Sequence, residues 1–302
     1  MLEGRWGCAC CAGAPWAQRR LLGAALLGGA AAAALPAWAR EGVDVGKQSS
    51  FTKLVSADQV ERAATQQYLQ LQQQASEKKA LAPANHPQLI RLRAIELRIR
   101  PFTYEWNERA RQWKWEVNLI GSSQINAFCM PGGKIAFYYG ILDKLQLSDD
   151  EVAMIMGHEA AHALRAHARE RMGKNMATRG ALEIGSALLG LGSAGRTVGD
   201  LGGQLLTLKF GREDESEADL IGMELAARAG YDPAAGVTLW QKMGAANKGS
   251  PPQFMSTHPS GPTRIKDIED NLHKVTSLYD RAERPAQRFG PPKPRPDATE
   301  PG

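Results

Sequence analysis

Residues 148–163 read SDDEVAMIMGHEAAHA, and this stretch decides the fold and the candidate chemistry of the chain. Ser148 and the three acidic residues after it cap a helical run. His158 and His162 lie four residues apart in that run, which places both imidazoles on one helical face, one turn apart. Two imidazoles at this spacing can bind a single tetrahedral Zn²⁺. His167, nine residues after His158, falls on the opposite face of the same helix and is predicted to lie at the surface.

The residues around these histidines suggest a base and a third ligand. Glu159 follows the first histidine, so its carboxylate can act as a general base on a water molecule at the metal. Glu215 is favoured as the third ligand because Asp219, four residues later, shares its helical face and can hydrogen-bond a ligand imidazole. Glu213 and Glu217 are rivals by residue type, although Glu217 points away from that face.

The rest of the chain predicts a few strands among many helices. Helical spacing predicts helices over 56–79 and 88–100, and alternating apolar residues over 113–119 predict a half-buried strand. Two more short strands, Ile125–Phe128 and Lys134–Tyr138, flank a Pro-Gly-Gly turn. From Ser148 onward the pattern is helical. The predicted fold class is therefore α+β, mainly helical, with a small antiparallel sheet that carries helices on one side.

The two ends of the chain differ in composition from its middle. Three arginines precede a run of Leu, Ala and Gly over 21–35, and Ala37-Trp38-Ala39 follows. This order is typical of a cleaved signal peptide, so we expect the protein to be exported. Cleavage would leave Cys129 as the only cysteine of the mature chain. The predicted organisation is a signal peptide (1–39), a leader (40–55), a folded domain that carries the candidate metal site (56–280) and a Pro-rich disordered tail (281–302).

The overall composition excludes several classes of protein. The chain has 302 residues, of which 43% are hydrophobic and 23% charged, which excludes collagen-like, coiled-coil and wholly disordered chains. Its net charge of +5 is mild, and lysine and arginine are interleaved with acids. We therefore expect no nucleic-acid partner.

In order and spacing, the motifs resemble the zinc metallopeptidases of family M48, which are gluzincins, and above all their soluble periplasmic and Oma-type members. The resemblance covers about residues 55–280. It implies an endopeptidase that binds one Zn²⁺ per chain through His158, His162 and Glu215, with Glu159 as the base. The matching stretches are Asn126–Ile135, Leu147–Ala163, Gly211–Gly222 and Thr257–Pro259 with Arg264 and Ile265.

The resemblance extends to residues outside the two histidines. It implies that Asn126, Ala127 and Phe128 belong to an edge strand that binds the substrate backbone by strand addition. His258, in a Thr-His-Pro turn, is a fourth ligand, a group that faces the oxyanion of the reaction, or an ordinary turn residue. Arg264 either pairs with a carboxylate near the site or caps the following helix.

Together with the resemblance, these features predict a periplasmic zinc metalloendopeptidase. The resemblance alone implies a role in envelope protein quality control, with unfolded or misassembled proteins as substrates. The Gly-, Ala- and Leu-rich segment 180–207 is a mobile flap, a surface for peripheral membrane contact, or a buried helical hairpin. The rival hypothesis is a chaperone-like protein that binds unfolded envelope proteins and whose zinc site is latent.

Overall fold

The computed structural model describes residues 40–188, 205, 208–246, 252–259 and 262–293, without the side chains of 179–188 and 262. The chain divides into the units Met1–Arg40 and Glu41–Gly302, and every described residue except Arg40 belongs to the second. The predicted signal peptide and most of the segment 180–207 therefore lie outside the described residues. The strands are β1 (Glu116–Ile120), β2 (Ala127–Met130) and β3 (Lys134–Tyr138). The helices are α1 (Ala57–Glu77), α2 (Pro87–Thr103), α3 (Tyr139–Lys144), α4 (Asp149–Leu164), α5 (His167–Leu188), α6 (Arg212–Arg228), α7 (Ala235–Ala246), α8 (Gln253–Thr257), α9 (Pro262–Asn271) and α10 (His273–Arg281).

Helix α4 lies at the centre of the core. It begins with a capping box, in which the Ser148 hydroxyl accepts from the Glu151 N–H and the Glu151 carboxylate accepts from the Ser148 N–H. Every residue of α4 except Asp150 is buried, because α2, α6, α7 and β2 all pack around the helix. A helix that is buried on all sides carries apolar residues on every face. The uninterrupted apolar run at 152–156 is what allows the helix to be buried on all sides.

Helix α6 approaches α4 more closely than ordinary side chains would permit. The two helices meet at Gly157 and Gly222, and a Cβ atom on Gly222 would lie 2.6 Å from the backbone nitrogen of His158. A Cβ atom on Gly157 would lie 2.7 Å from the Gly222 carbonyl oxygen. Glycine at both positions therefore lets the backbones touch. This contact places His158 directly beside the face of α6 that carries Glu215 and Asp219.

The sheet is mixed, whereas the sequence predicted an antiparallel one. Its strand order is β1-β3-β2: the β2–β3 hairpin is antiparallel, and β1 runs parallel to β3. Gly132 and Gly133 adopt positive φ angles of 90° and 74° in the hairpin turn. After β1 the chain passes to the far side of β3 before β2 begins, so the three strands do not form a meander. The α+β class, mainly helical with a small sheet, is confirmed.

Strand β2 is the open edge among the described strands. The other edge of the sheet is covered, because the Ala82 N–H donates to the Leu119 carbonyl at 3.0 Å and the Gly121 N–H donates to the Ala80 carbonyl at 2.6 Å. The Tyr138 N–H donates to the Asn126 carbonyl at 3.0 Å, and hydrogen-bonded pairs alternate along an antiparallel ladder. The backbone groups of Ala127 and Cys129 therefore point away from β3, toward α4.

Both flanking segments contact the helices of the core. Val43 is buried, and its N–H donates to the Glu224 carboxylate of α6 at 2.8 Å. The N–H groups of Phe289 and Gly290 donate to the Asp149 carboxylate at the start of α4, at 2.7 and 3.1 Å. As far as residue 293, the predicted disordered tail thus makes specific contacts. No helix in the described part of the chain is both long enough and apolar enough to cross a membrane.

Candidate active site

Four buried side chains converge between α4, α6 and the end of α8. His158 and His162 come from α4, Glu215 comes from α6, and His258 follows the last residue of α8. One candidate ligand atom from each of the four lies within 4.8 Å of those of the other three. The helical spacing accounts for the pair on α4, whereas only the tertiary fold brings Glu215 and His258 to it.

The distances within this cluster fit a tetrahedral metal ion. Ligand atoms about 2.0–2.1 Å from a tetrahedral Zn²⁺ are about 3.3 Å from one another. The Nε2 atoms of His158 and His162 are 3.1 Å apart, and each lies 3.6 Å from a carboxylate oxygen of Glu215. His258 Nδ1 lies 3.3 Å from His158 Nε2 and 3.1 Å from Glu215 Oε1. Burial keeps the pKa of His162 well below its usual value, so its imidazole is neutral, as a metal ligand must be.

A second group of side chains contacts the candidate ligands. His158 Nδ1 lies 3.0 Å from Asp219 Oδ1. The Arg264 guanidinium donates two hydrogen bonds to Asp219 and one to Glu215, all at 2.6 Å, and lies 3.6 Å above the Trp240 ring. Burial acts to raise the pKa of Asp219, but Arg264 and the His158 hydrogen bond outweigh it and lower that pKa to about 2. Arg264 therefore pairs with both carboxylates of the site.

Glu159 lies beside the cluster without joining it. Glu159 is 2% exposed, its Oε1 has no hydrogen-bond partner among the described residues, and His258 Nε2 lies 3.5 Å from that oxygen. Burial raises the pKa of Glu159, and the neighbouring His258 and His158 offset this only in part. A buried carboxylate with a raised pKa and an unused oxygen is suited to accept and return a proton.

Comparison with known proteins identifies the family of this chain. Residues 93–272 match the model of peptidase family M48. The chain belongs to that family. It is 38% identical over 152 residues to mitochondrial metalloendopeptidase OMA1 of Arabidopsis thaliana, an alignment that covers 50% of this chain and 30% of the relative. It is also similar to two Escherichia coli proteins, the metalloprotease LoiP (28% identity; 66% of this chain and 77% of the relative) and the beta-barrel assembly-enhancing protease (28%; 53% and 35%).

The M48 domain has a narrow cavity next to the ligand cluster. The cavity holds about 50 Å³, and Glu159, His162 and His258 form one wall. Asn126 and the residues of β2, including Ala127 and Phe128, also line the cavity. All three residues predicted for the substrate strand thus line the cavity. Their backbones differ, however, because the Phe128 backbone faces β3 whereas that of Ala127 faces the cavity side.

Two residues of this M48 site were not found from the sequence. His167, predicted to lie at the surface, is 1% exposed, and its Nδ1 is 2.8 Å from His162 Nδ1. Helix α4 ends at Leu164, and Ala166 adopts a positive φ of 56° before α5 begins, so extending one helix through His167 was wrong. Phe210 stacks on His162 with ring centroids 3.9 Å apart. No pattern in the sequence singles out either contact.

Proposed function

We propose that this chain is a zinc metalloendopeptidase that hydrolyses internal peptide bonds of unfolded or misassembled proteins. One observation carries the proposal. A buried carboxylate with an unused oxygen, Glu159, lies beside a histidine–glutamate cluster whose spacing suits a tetrahedral ion. A purely structural metal site would have no use for a buried carboxylate with an unused oxygen at its side. Membership of a peptidase family supports the same conclusion.

In this proposal each residue has a distinct task. His158, His162 and Glu215 hold the zinc ion, and Asp219 and Arg264 fix the orientation of His158 and Glu215. Bound zinc supplies a Lewis acid that polarises the scissile carbonyl. Glu159 removes a proton from the attacking water and delivers it to the amine that leaves.

Strand β2 would bind the substrate in an extended form. The backbone groups of Ala127 face outward, where an added strand would lie. Without substrate, the Ala127 N–H donates to the Asn126 side-chain oxygen at 3.1 Å. A substrate carbonyl would replace that oxygen and release the Asn126 amide to bind the substrate in turn. An extended backbone is what an unfolded protein offers and a folded one does not.

We further propose that the protein acts in the periplasm, where it would serve envelope protein quality control. The supporting features are the signal-peptide pattern of residues 1–39 and the similarity to a relative named for beta-barrel assembly. Other relatives are named as mitochondrial, so the location needs its own test. Cell fractionation should find the protein in the periplasm or loosely attached to a membrane, with an N-terminus that begins after Ala39. An intact N-terminus in the cytoplasmic fraction would contradict the location but not the activity.

The experiment that tests the activity is Glu159→Gln. The variant should bind one zinc ion per chain like the wild type, because Glu159 is not a ligand, but should no longer cleave unfolded casein. His158→Ala should lose both zinc and cleavage, and serves as the control for metal loss. A Glu159→Gln protein that complements a gene deletion fully would instead support the chaperone-like hypothesis.

A further inference from the structure

We infer that His167 is a positioning residue for the second zinc ligand, His162; this inference rests on the proposed zinc site. The turn between α4 and α5 brings the two rings together, because Ala166 reverses the chain with its positive φ of 56°. Their Nδ1 atoms are 2.8 Å apart, a hydrogen-bond distance, and His167 is 1% exposed. No water can therefore take the place of this partner without rearrangement of the turn.

One arrangement of protons places a hydrogen bond between the two imidazoles and leaves His162 Nε2 free to bind the metal. A ligand imidazole binds the metal through a nitrogen that carries no proton, and His162 Nε2 is the atom that faces the cluster. The proton of His162 then resides on Nδ1, which donates to Nδ1 of His167. His167 then carries its own proton on Nε2, which lies 3.5 Å from a carboxylate oxygen of Glu217 and makes no hydrogen bond with the described residues. The opposite arrangement would put a proton on His162 Nε2, where the metal must bind.

The side chains that contact His162 on the side away from the cluster are arranged like those that contact His158. His158 is held by Asp219, which Arg264 anchors in turn. His162 is held by His167 with Glu217 behind it, and Glu217 is paired with Arg165. Each ligand imidazole therefore has its own hydrogen-bond acceptor. In both cases the series of contacts that begins at this acceptor leads to an arginine. Partners of this kind fix the tautomer and the ring angle of a ligand histidine.

Loss of the acceptor should weaken zinc binding more than it weakens the fold. Partners of metal ligands typically change metal affinity by about 10–100-fold. His167→Phe keeps a ring of similar volume but cannot accept the His162 proton, whereas His167→Gln retains an oxygen that can. The matched control is Met172→Ala, which removes buried volume from the same helix, in a separate apolar cluster with Val55 and Val60.

The test measures the zinc dissociation constant of the purified protein by competition with a chromophoric chelator, together with the unfolding temperature of each variant. We expect about a 10–100-fold higher dissociation constant for His167→Phe, partial recovery for His167→Gln, and an unchanged constant for Met172→Ala despite a lower unfolding temperature. An unchanged constant in His167→Phe overturns the inference. An equal loss in Met172→Ala overturns it as well, because His167 would then act only through general stability.

Two further outcomes keep the test decisive. If His167→Phe does not fold, Glu217→Gln takes its place, since it removes the charge behind His167 and keeps the side-chain size; an unchanged zinc dissociation constant in that variant overturns the inference. Wild-type protein that binds no zinc overturns both this inference and the proposed function. Wild-type protein that binds zinc but cleaves nothing contradicts only the proposed function, and a weakened His167→Phe would still support the inference.

Discussion

Glu215 is distinguished from the neighbouring acidic residues by what each carboxylate contacts. It is 1% exposed and meets His258, Arg264 and both ligand histidines. Glu213 is exposed, and Glu217 faces Arg165 and His167. The sequence favoured Glu215 because residues four apart share a helical face, and that rule depends only on local geometry. The contact of His167 depends on the turn at Ala166, and that of Phe210 depends on the packing of the segment before α6 against His162, so local rules could not find them.

Glu215→Ala should remove zinc from the protein, whereas Glu213→Ala should not. The first change takes away a ligand and leaves the Arg264 guanidinium partly unpaired in the core, so the unfolding temperature should also fall. Metal analysis of both purified proteins checks the prediction, with Glu213→Ala as the control on the same helix turn. Stoichiometric zinc in Glu215→Ala would show that another residue completes the site.

The role of His258 is predicted to be one of three, and a single substitution separates them. Its Nδ1 lies 3.3 Å from His158 Nε2, so the imidazole can take the fourth position of a tetrahedral ion and leave no room for water. His258→Ala should then keep its zinc and cleave unfolded casein faster than the wild type. A fall in kcat by about 10²–10³ would instead assign the ring to oxyanion stabilisation. Unaltered kinetics would make His258 an ordinary turn residue.

At the scale of elements, the sequence predicted those whose pattern is local. The strand Lys134–Tyr138 lies where the Pro-Gly-Gly turn placed it, and the helix after Ser148 lies where capping placed it. The parallel pairing of β1 with β3 was missed, because residues 121–126 cross the sheet and no residue type marks such a crossing. The end of α4 was missed because Ala166, with no glycine or proline signal, adopts the left-handed conformation.

The close crossing of α4 and α6 predicts that even a methyl group added at the contact lowers the stability of the fold. In Gly222→Ala the new methyl would lie 2.6 Å from the His158 nitrogen, so the helices must separate and Glu215 must move away from the histidines. We expect a loss of about 1–3 kcal/mol in the free energy of unfolding, together with weaker zinc binding. Gly244→Ala is the control, because a methyl there meets no atom within 4 Å and should add up to about 1 kcal/mol of helix stability. Equal stability of the two variants would contradict the close crossing.

At the scale of the whole described domain, each flanking segment contacts one of the two helices that carry candidate ligands. The N-terminal segment contacts α6 through Glu224, and the C-terminal segment contacts α4 through Asp149. Composition predicted the two segments to be a leader and a disordered tail. No residue pattern indicates these contacts, because they use the backbone N–H groups of Val43, Phe289 and Gly290, and any residue except proline supplies such a group. A segment held through its backbone carries no periodic pattern.

Truncation of the C-terminal segment should therefore lower stability while leaving the zinc site intact. A chain that ends at Gln287 loses the two N–H donors to Asp149, which is 4% exposed, and the Arg288–Asp150 pair at 2.7 Å. Hydrogen bonds to charged groups contribute about 1.5–3 kcal/mol each. Asp149 keeps its 2.6 Å contact with Arg91, and water can reach the vacated side, so we expect a total loss of about 1–3 kcal/mol in the free energy of unfolding.

Calorimetry should detect this loss as a lower Tm, at about 2–4 °C per kcal/mol for a domain of this size. A chain that ends at Lys293 removes none of these contacts and should melt like the wild type, and both truncated proteins should bind one zinc ion. Identical Tm values for the two truncations would show that the Asp149 contacts contribute nothing to the stability of α4.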